Sequence, residues 1–106
     1  MEIEFDPAKS AKNAKERGLP FEQTTELEWS AARVRPDGRH DYGEERFVAL
    51  VPRSGRLYAV CYCVRGDAIR IISFRKANKR EERAYGKAPD EAAAEARAKT
   101  GDEAEA

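Results

Sequence analysis

The chain has one histidine, two cysteines, one tryptophan and one methionine, and these scarcities remove whole classes of chemistry. His40 with Cys61 and Cys63 cannot supply the four ligands of a structural zinc site, so neither a metal nor a cofactor is expected. The two cysteines lie in the apolar run YAVCYCV. In an extended strand they point to the same face, which is poor geometry for a disulfide between them. They read as small buried hydrophobes of a reducing compartment. No apolar run is long enough to span a bilayer, and the N-terminal MEIEFDPAK lacks the apolar stretch of a secretion signal. A cytoplasmic location away from any membrane is therefore expected. Neither sign of charge is in excess, with 20 Lys and Arg against 20 Asp and Glu, so net charge alone does not point to a polyanion.

The distribution of charge says more than its sum. Residues from Lys87 onward hold three cations and six anions, which leaves 17 cations and 14 anions in residues 1–86. Between Arg65 and Arg83 the excess sharpens, since Arg65, Arg70, Arg75, Lys76, Lys79, Arg80 and Arg83 face only Asp67, Glu81 and Glu82. A local basic surface of this kind suits a phosphate backbone. At 106 residues, 41% of them hydrophobic and 38% charged, the chain is expected to form one domain with a small core and a heavily solvated surface. That domain is placed at 1–86. The segment 87–106 is alanine-rich and charged, has no aliphatic or aromatic anchor to bury, and reads as a tail.

Along the chain, Glu2 to Phe5 alternates as a short strand. Asp6 is placed to cap a helix that has Pro7 in its first turn and ends near Arg17 at Gly18. Pro20 starts a second short helix bearing Phe21 and Thr24, and Trp29 to Val34 is a weaker strand candidate. After the turn residues Pro36-Asp37-Gly38 come three runs of strand character, 46–51, 56–64 and 68–74. Their connections are too short for anything but antiparallel hairpins. A helix follows from Ala77 to about Tyr85. The fold class is α+β: an N-terminal strand and two helices, an antiparallel meander, and a C-terminal helix. The helices are expected on one face of the sheet, with the other face or its rim open to a partner.

The segment IRIISFRKANK, 69–79, joins the last strand to this helix. Simple alternation puts Ile69, Ile71 and Ser73 on one side and Arg70, Ile72 and Phe74 on the other. Arg75 and Lys76 then leave the strand end together. An arginine fork and a lysine point charge at a rigid strand end can hold a phosphate; a solvated strand-to-helix junction is the plainer alternative.

FDPAKSAKNAKERG at 5–18, PFE at 20–22, RHDYGEER at 39–46, GRLYAV at 55–60 and RIISFRKANKRE at 70–81 together resemble the BrnT family of type II toxins. The resemblance implies a RelE-like fold and a ribonuclease activity that inhibits translation. It also implies neutralisation by a BrnA-like ribbon-helix-helix antitoxin, with operator DNA engaged only through the toxin–antitoxin complex. The chain departs from the family pattern at Glu16-Arg17-Gly18, where many members read Lys-His-Gly.

RNA cleavage without a metal uses the 2′-hydroxyl as nucleophile, so the protein has to stabilise the phosphorane and manage two protons. Arg75 and Lys76 are the first candidates for the charge, with Arg46 and Arg65 as phosphate contacts on strand ends that antiparallel pairing brings together. Each arginine also has an ordinary reading as a surface ion pair, and Glu44 and Glu45 beside Arg46 strengthen it. For proton transfer His40 has the right intrinsic pKa, although a lone loop histidine is commonly a bystander. Glu44 is the alternative base, or a partner of Arg46. Lys76 serves as an acid only if burial or neighbouring cations lower its pKa. Tyr42 is the aromatic best placed in a loop to stack on a base, whereas Tyr58, Tyr62, Phe74 and Trp29 read mainly as core. A non-catalytic RNA- or protein-binding module on the same fold is the alternative function.

Overall fold

The computed structural model describes residues 2–38 and 43–86. His40, Tyr42 and the segment 87–106 lie outside the described residues. Five strands form one mixed sheet: β1 (Glu2–Glu4), β2 (Arg33–Pro36), β3 (Phe47–Arg53), β4 (Arg56–Arg65) and β5 (Ala68–Lys76), in the spatial order β1-β5-β4-β3-β2. β3, β4 and β5 are the expected meander. β1 runs parallel to β5, and β2 antiparallel to β3. The two-residue turn Ser54-Gly55 carries φ of 51° and 78°, the left-handed pair that a tight hairpin demands and that glycine adopts without strain.

The helix α1 (Pro7–Arg17) starts and stops as its sequence predicts. The Asp6 carboxylate accepts the Ala8 amide at 2.9 Å, and Gly18 closes the helix at φ 71° with its amide on the Ala14 carbonyl. What α1 buries is polar: Ser10 and Asn13. The Asn13 side-chain amide donates to the carbonyls of Leu19 at 2.6 Å and Phe74 at 2.9 Å, and Ser10 Oγ accepts the Phe21 amide. The helix is thus tied down by hydrogen bonds, while the chain after it supplies the apolar contact. Leu19, Phe21 and Leu27 pack on Ala49, Val51, Val60, Ile69, Ile71 and Phe74 of the sheet, flanked by Tyr58, Tyr62 and Trp29.

The structure differs from the predicted elements in four respects. The second helix is a 3-10 helix, Phe21–Glu26, followed by a 3-10 turn at Trp29–Ala31. Trp29 donates from its indole nitrogen to the Thr24 carbonyl at 2.7 Å and stacks edge-on to Tyr62. These contacts curl the chain there, and β2 begins only at Arg33. The helix α2 (Lys79–Tyr85) lies on the sheet face opposite α1, where Tyr85 and Ala77 pack on Val48, Leu50, Leu57 and Ala59. Finally, β5 carries a bulge. Cys61 pairs with Ser73 while Tyr62 pairs with Ile71, so Ile72 is an extra residue in the ladder. Phe74, opposite Val60 and 1% exposed, therefore joins Ile69 and Ile71 in the core. Ser73 and Arg75 move to the other face, opposite Cys61 and Ala59.

Candidate functional site

β2, β3, β4 and β5 present alternate residues to the face that α1 leaves uncovered. In register there lie Arg35 opposite Val48, Val48 opposite Cys61, Cys61 opposite Ser73, and Ala59 opposite Arg75. These residues line a cleft of about 160 Å³ whose remaining wall is Arg17. Arg17 comes from the last turn of α1 and reaches the Phe74 carbonyl at 3.5 Å and Asn13 Oδ1 at 3.4 Å. It passes the edge of β5 beyond the short strand β1, which pairs only with Ala68–Arg70. Three guanidinium groups therefore border a space smaller than the roughly 300–1,000 Å³ of a pocket enclosing an organic ligand. A phosphate group matches such a site in size and charge.

Arg75 is held firmly. Its two terminal nitrogens meet the two carboxylate oxygens of Glu81 at 2.8 and 2.9 Å. Glu81 is itself fixed by the start of α2: its Oε1 accepts the Asn78 amide at 2.8 Å, and its amide donates to Asn78 Oδ1 at 2.8 Å. The hydrogen bonds from Arg75 hold the Glu81 carboxyl below its ordinary pKa against the effect of burial, with the Asn78 amide and the nearby Arg35 charge adding to it.

A second basic group lies where β3 begins and β4 ends. Glu44 bridges Arg46 and Arg65, with contacts of 3.4 Å to each. Arg70, Lys9, Asp6 and Cys63 line the same depression. Between the two groups, the buried Asp37 accepts a hydrogen bond from Cys61 Sγ at 3.7 Å, and its amide donates to the Arg46 carbonyl. Both cysteines are buried thiols outside any disulfide.

Of the residues singled out in the sequence, Arg46, Arg65 and Glu44 come together, as the strand pairing implied for the two arginines. Arg75 and Lys76 do not converge. Arg75 lines the three-arginine cleft, whereas Lys76 is exposed and lines a separate hollow with Arg56, Leu57 and Tyr85. His40 and Tyr42 lie outside the described residues. Sequence reasoning missed Arg35, because the strand was placed too early; the alternation Arg33-Val34-Arg35 was its signal. It also missed Glu81, although Asn78 followed three residues later by Glu81 is a capping-box signature. Among the described residues no three His, Cys, Asp or Glu side chains gather as metal ligands would, and no helix there is long and apolar enough to cross a membrane.

Residues 5–81 match the family described as "Ribonuclease toxin, BrnT, of type II toxin-antitoxin system". A comparison with curated proteins gives no match.

Proposed function

Because the chain belongs to the BrnT family of ribonuclease toxins of type II toxin-antitoxin systems, we propose that the cleft on its sheet face opposite α1 is a metal-independent RNA-cleaving site. The observation that carries this reading is the cleft bordered by Arg17, Arg35 and Arg75. In the proposed reaction the 2′-oxygen of a ribose attacks the adjacent phosphorus and the bond from phosphorus to the 5′-oxygen breaks. A 2′,3′-cyclic phosphate and a 5′-hydroxyl result. Arg75, with Arg17 and Arg35, carries the negative charge that builds on the phosphorane, which is often the largest catalytic term. Arg46 and Arg65, and Lys76 at the far rim, take neighbouring phosphates, and Tyr42 stacks on a base. One proton leaves the 2′-hydroxyl and another reaches the 5′-oxygen. His40 and Glu44 are the groups proposed to move them, His40 on its intrinsic pKa alone.

The test is cleavage of a defined RNA by purified protein with a chelator present. Arg75→Ala is expected to lower kcat by about 10²–10³, the loss typical of one oxyanion-stabilising donor, with RNA binding retained. Cleavage that disappears with the chelator, or full activity of Arg75→Ala, would overturn the proposal.

One observation favours a second reading. Arg17, at the position where many family members have histidine, lines the cleft itself, and an arginine does not give up a proton near neutral pH. A domain that binds RNA or protein without cleaving it fits that substitution, and restoring the family residue with Arg17→His separates the two. A gain in rate supports catalysis through this position.

The proposal extends to the partners. Residues 1–86 act as one toxin domain in the cytoplasm, inhibiting translation. A BrnA-like ribbon-helix-helix antitoxin covers the basic face, and operator DNA is reached only through that complex. A structure of the complex with Arg65, Arg75 and Lys76 open to solvent would refute this part.

A further inference from the structure

We infer that Glu81 is a positioning residue for Arg75: its carboxylate clamps both terminal nitrogens of the guanidinium and so fixes the direction in which Arg75 meets the scissile phosphate. The inference rests on the assignment of Arg75 made above and assigns a role to a residue outside the cleft lining.

Three observations support it. The pair is two-pronged at 2.8 and 2.9 Å, whereas Glu44 meets Arg46 and Arg65 at 3.4 Å and Glu4 meets Arg70 at 3.3 Å. The Glu81 side chain is 11% exposed against 32% for Glu44 and 45% for Glu4, so water screens it least. And Glu81 is not a freely rotating partner, because the Asn78 amide holds the same oxygen that receives Arg75 NH1. Rigidity thus passes from the backbone at the start of α2 to the Glu81 carboxylate and from there to the guanidinium. A guanidinium is planar, so a carboxylate seated on one edge dictates where the other edge points. Catalytic stabilisation depends on donors that need no reorganisation as charge develops.

A rival account makes Glu81 a latch that neutralises Arg75 and competes with the phosphate. The two accounts predict opposite effects of removing the charge. The experiment measures kcat and KM for RNA cleavage by the full chain as wild type, Glu81→Gln, Arg75→Ala and the double variant. Asn78→Ala serves as a control that weakens the helix cap but leaves the backbone amide and the carboxylate–guanidinium pair in place. Thermal melting confirms that each variant is folded.

Positioning predicts that Glu81→Gln lowers kcat by about 10- to 100-fold, as expected for a misaligned catalytic group, with KM changed less than about threefold. In the Arg75→Ala background the same change has almost no further effect, because the residue acts through Arg75. Glu81→Asp recovers part of the rate, and Asn78→Ala, which loosens the cap but keeps the backbone amide on the carboxylate, slows cleavage less than Glu81→Gln does. The inference is overturned if Glu81→Gln raises kcat or tightens binding, as a latch would, or if its effect is undiminished in Arg75→Ala. It is overturned equally if Asn78→Ala slows cleavage as much. Should Arg75→Ala alone leave kcat unchanged, the assignment of Arg75 fails and the positioning role falls with it.

Discussion

Glu81 shows how one side chain connects stability to pH. Its folded pKa lies below its ordinary value, chiefly because it accepts hydrogen bonds from Arg75. The stabilisation is therefore complete above the unfolded-state pKa of about 4.3 and is lost as pH falls through the lower folded value. Melting temperature should decline across that acidic window, and the difference between wild type and Glu81→Gln should shrink over the same range. A difference that stayed constant down to the most acidic point would show that the carboxylate charge is not what stabilises. The Asn78 cap is a separate contribution. Asn78→Ala is expected to cost about 1 kcal/mol, which for a domain of this size lowers the melting temperature by roughly 4–8 °C.

At the scale of elements, what was legible in the sequence was what local chemistry decides. Asp6, Pro7 and Gly18 bound α1, and the Ser54-Gly55 and Gly66-Asp67 turns enforce the meander. What stayed hidden depends on contacts made far along the chain. The bulge at Ile72 is invisible in an alternation pattern, because the pattern does not say which residue of IRIISF is the unpaired one until β4 fixes the register. The late start of β2 follows from the indole bond of Trp29 to Thr24, and with it went Arg35. The attachment of α1 was hidden for the same reason, since Asn13 looks like a surface residue until the Phe74 carbonyl, 61 positions away, meets it. Asn13→Ala should leave the buried Leu19 and Phe74 carbonyls without this donor and cost about 1–3 kcal/mol, measurable by urea denaturation. If it costs nothing, α1 is held by something other than this side chain. Because Arg17 sits one turn further on the same helix, that variant should also weaken RNA binding.

Over the whole molecule, a chain with as many anions as cations gathers Arg17, Arg35 and Arg75 in one cleft and Arg46, Arg65 and Arg70 in another on the same face. The proposed RNA complex should then weaken with salt, each neutralised phosphate contributing about −0.7 to the slope of log affinity against log salt for a single strand. Arg35→Ala and Arg46→Ala should each make the slope shallower by about that amount; an unchanged slope in both would remove these residues from the RNA path. The segregation of the two faces hangs on a count. Along β5 every residue after Ile72 owes its side of the sheet to one unpaired position, so the strand behaves like a message read in steps of two with a single frameshift. Substituting Ile72 changes a side chain, and deleting it makes Ile71 and Ser73 consecutive, so the ladder pairs without a bulge and Phe74 and Arg75 keep their faces. Thermal melting should therefore show that the protein stays folded when Ile72 is deleted but not when one residue is inserted between Ser73 and Phe74, and the arginine reaches the surface because of spacing rather than its own polarity.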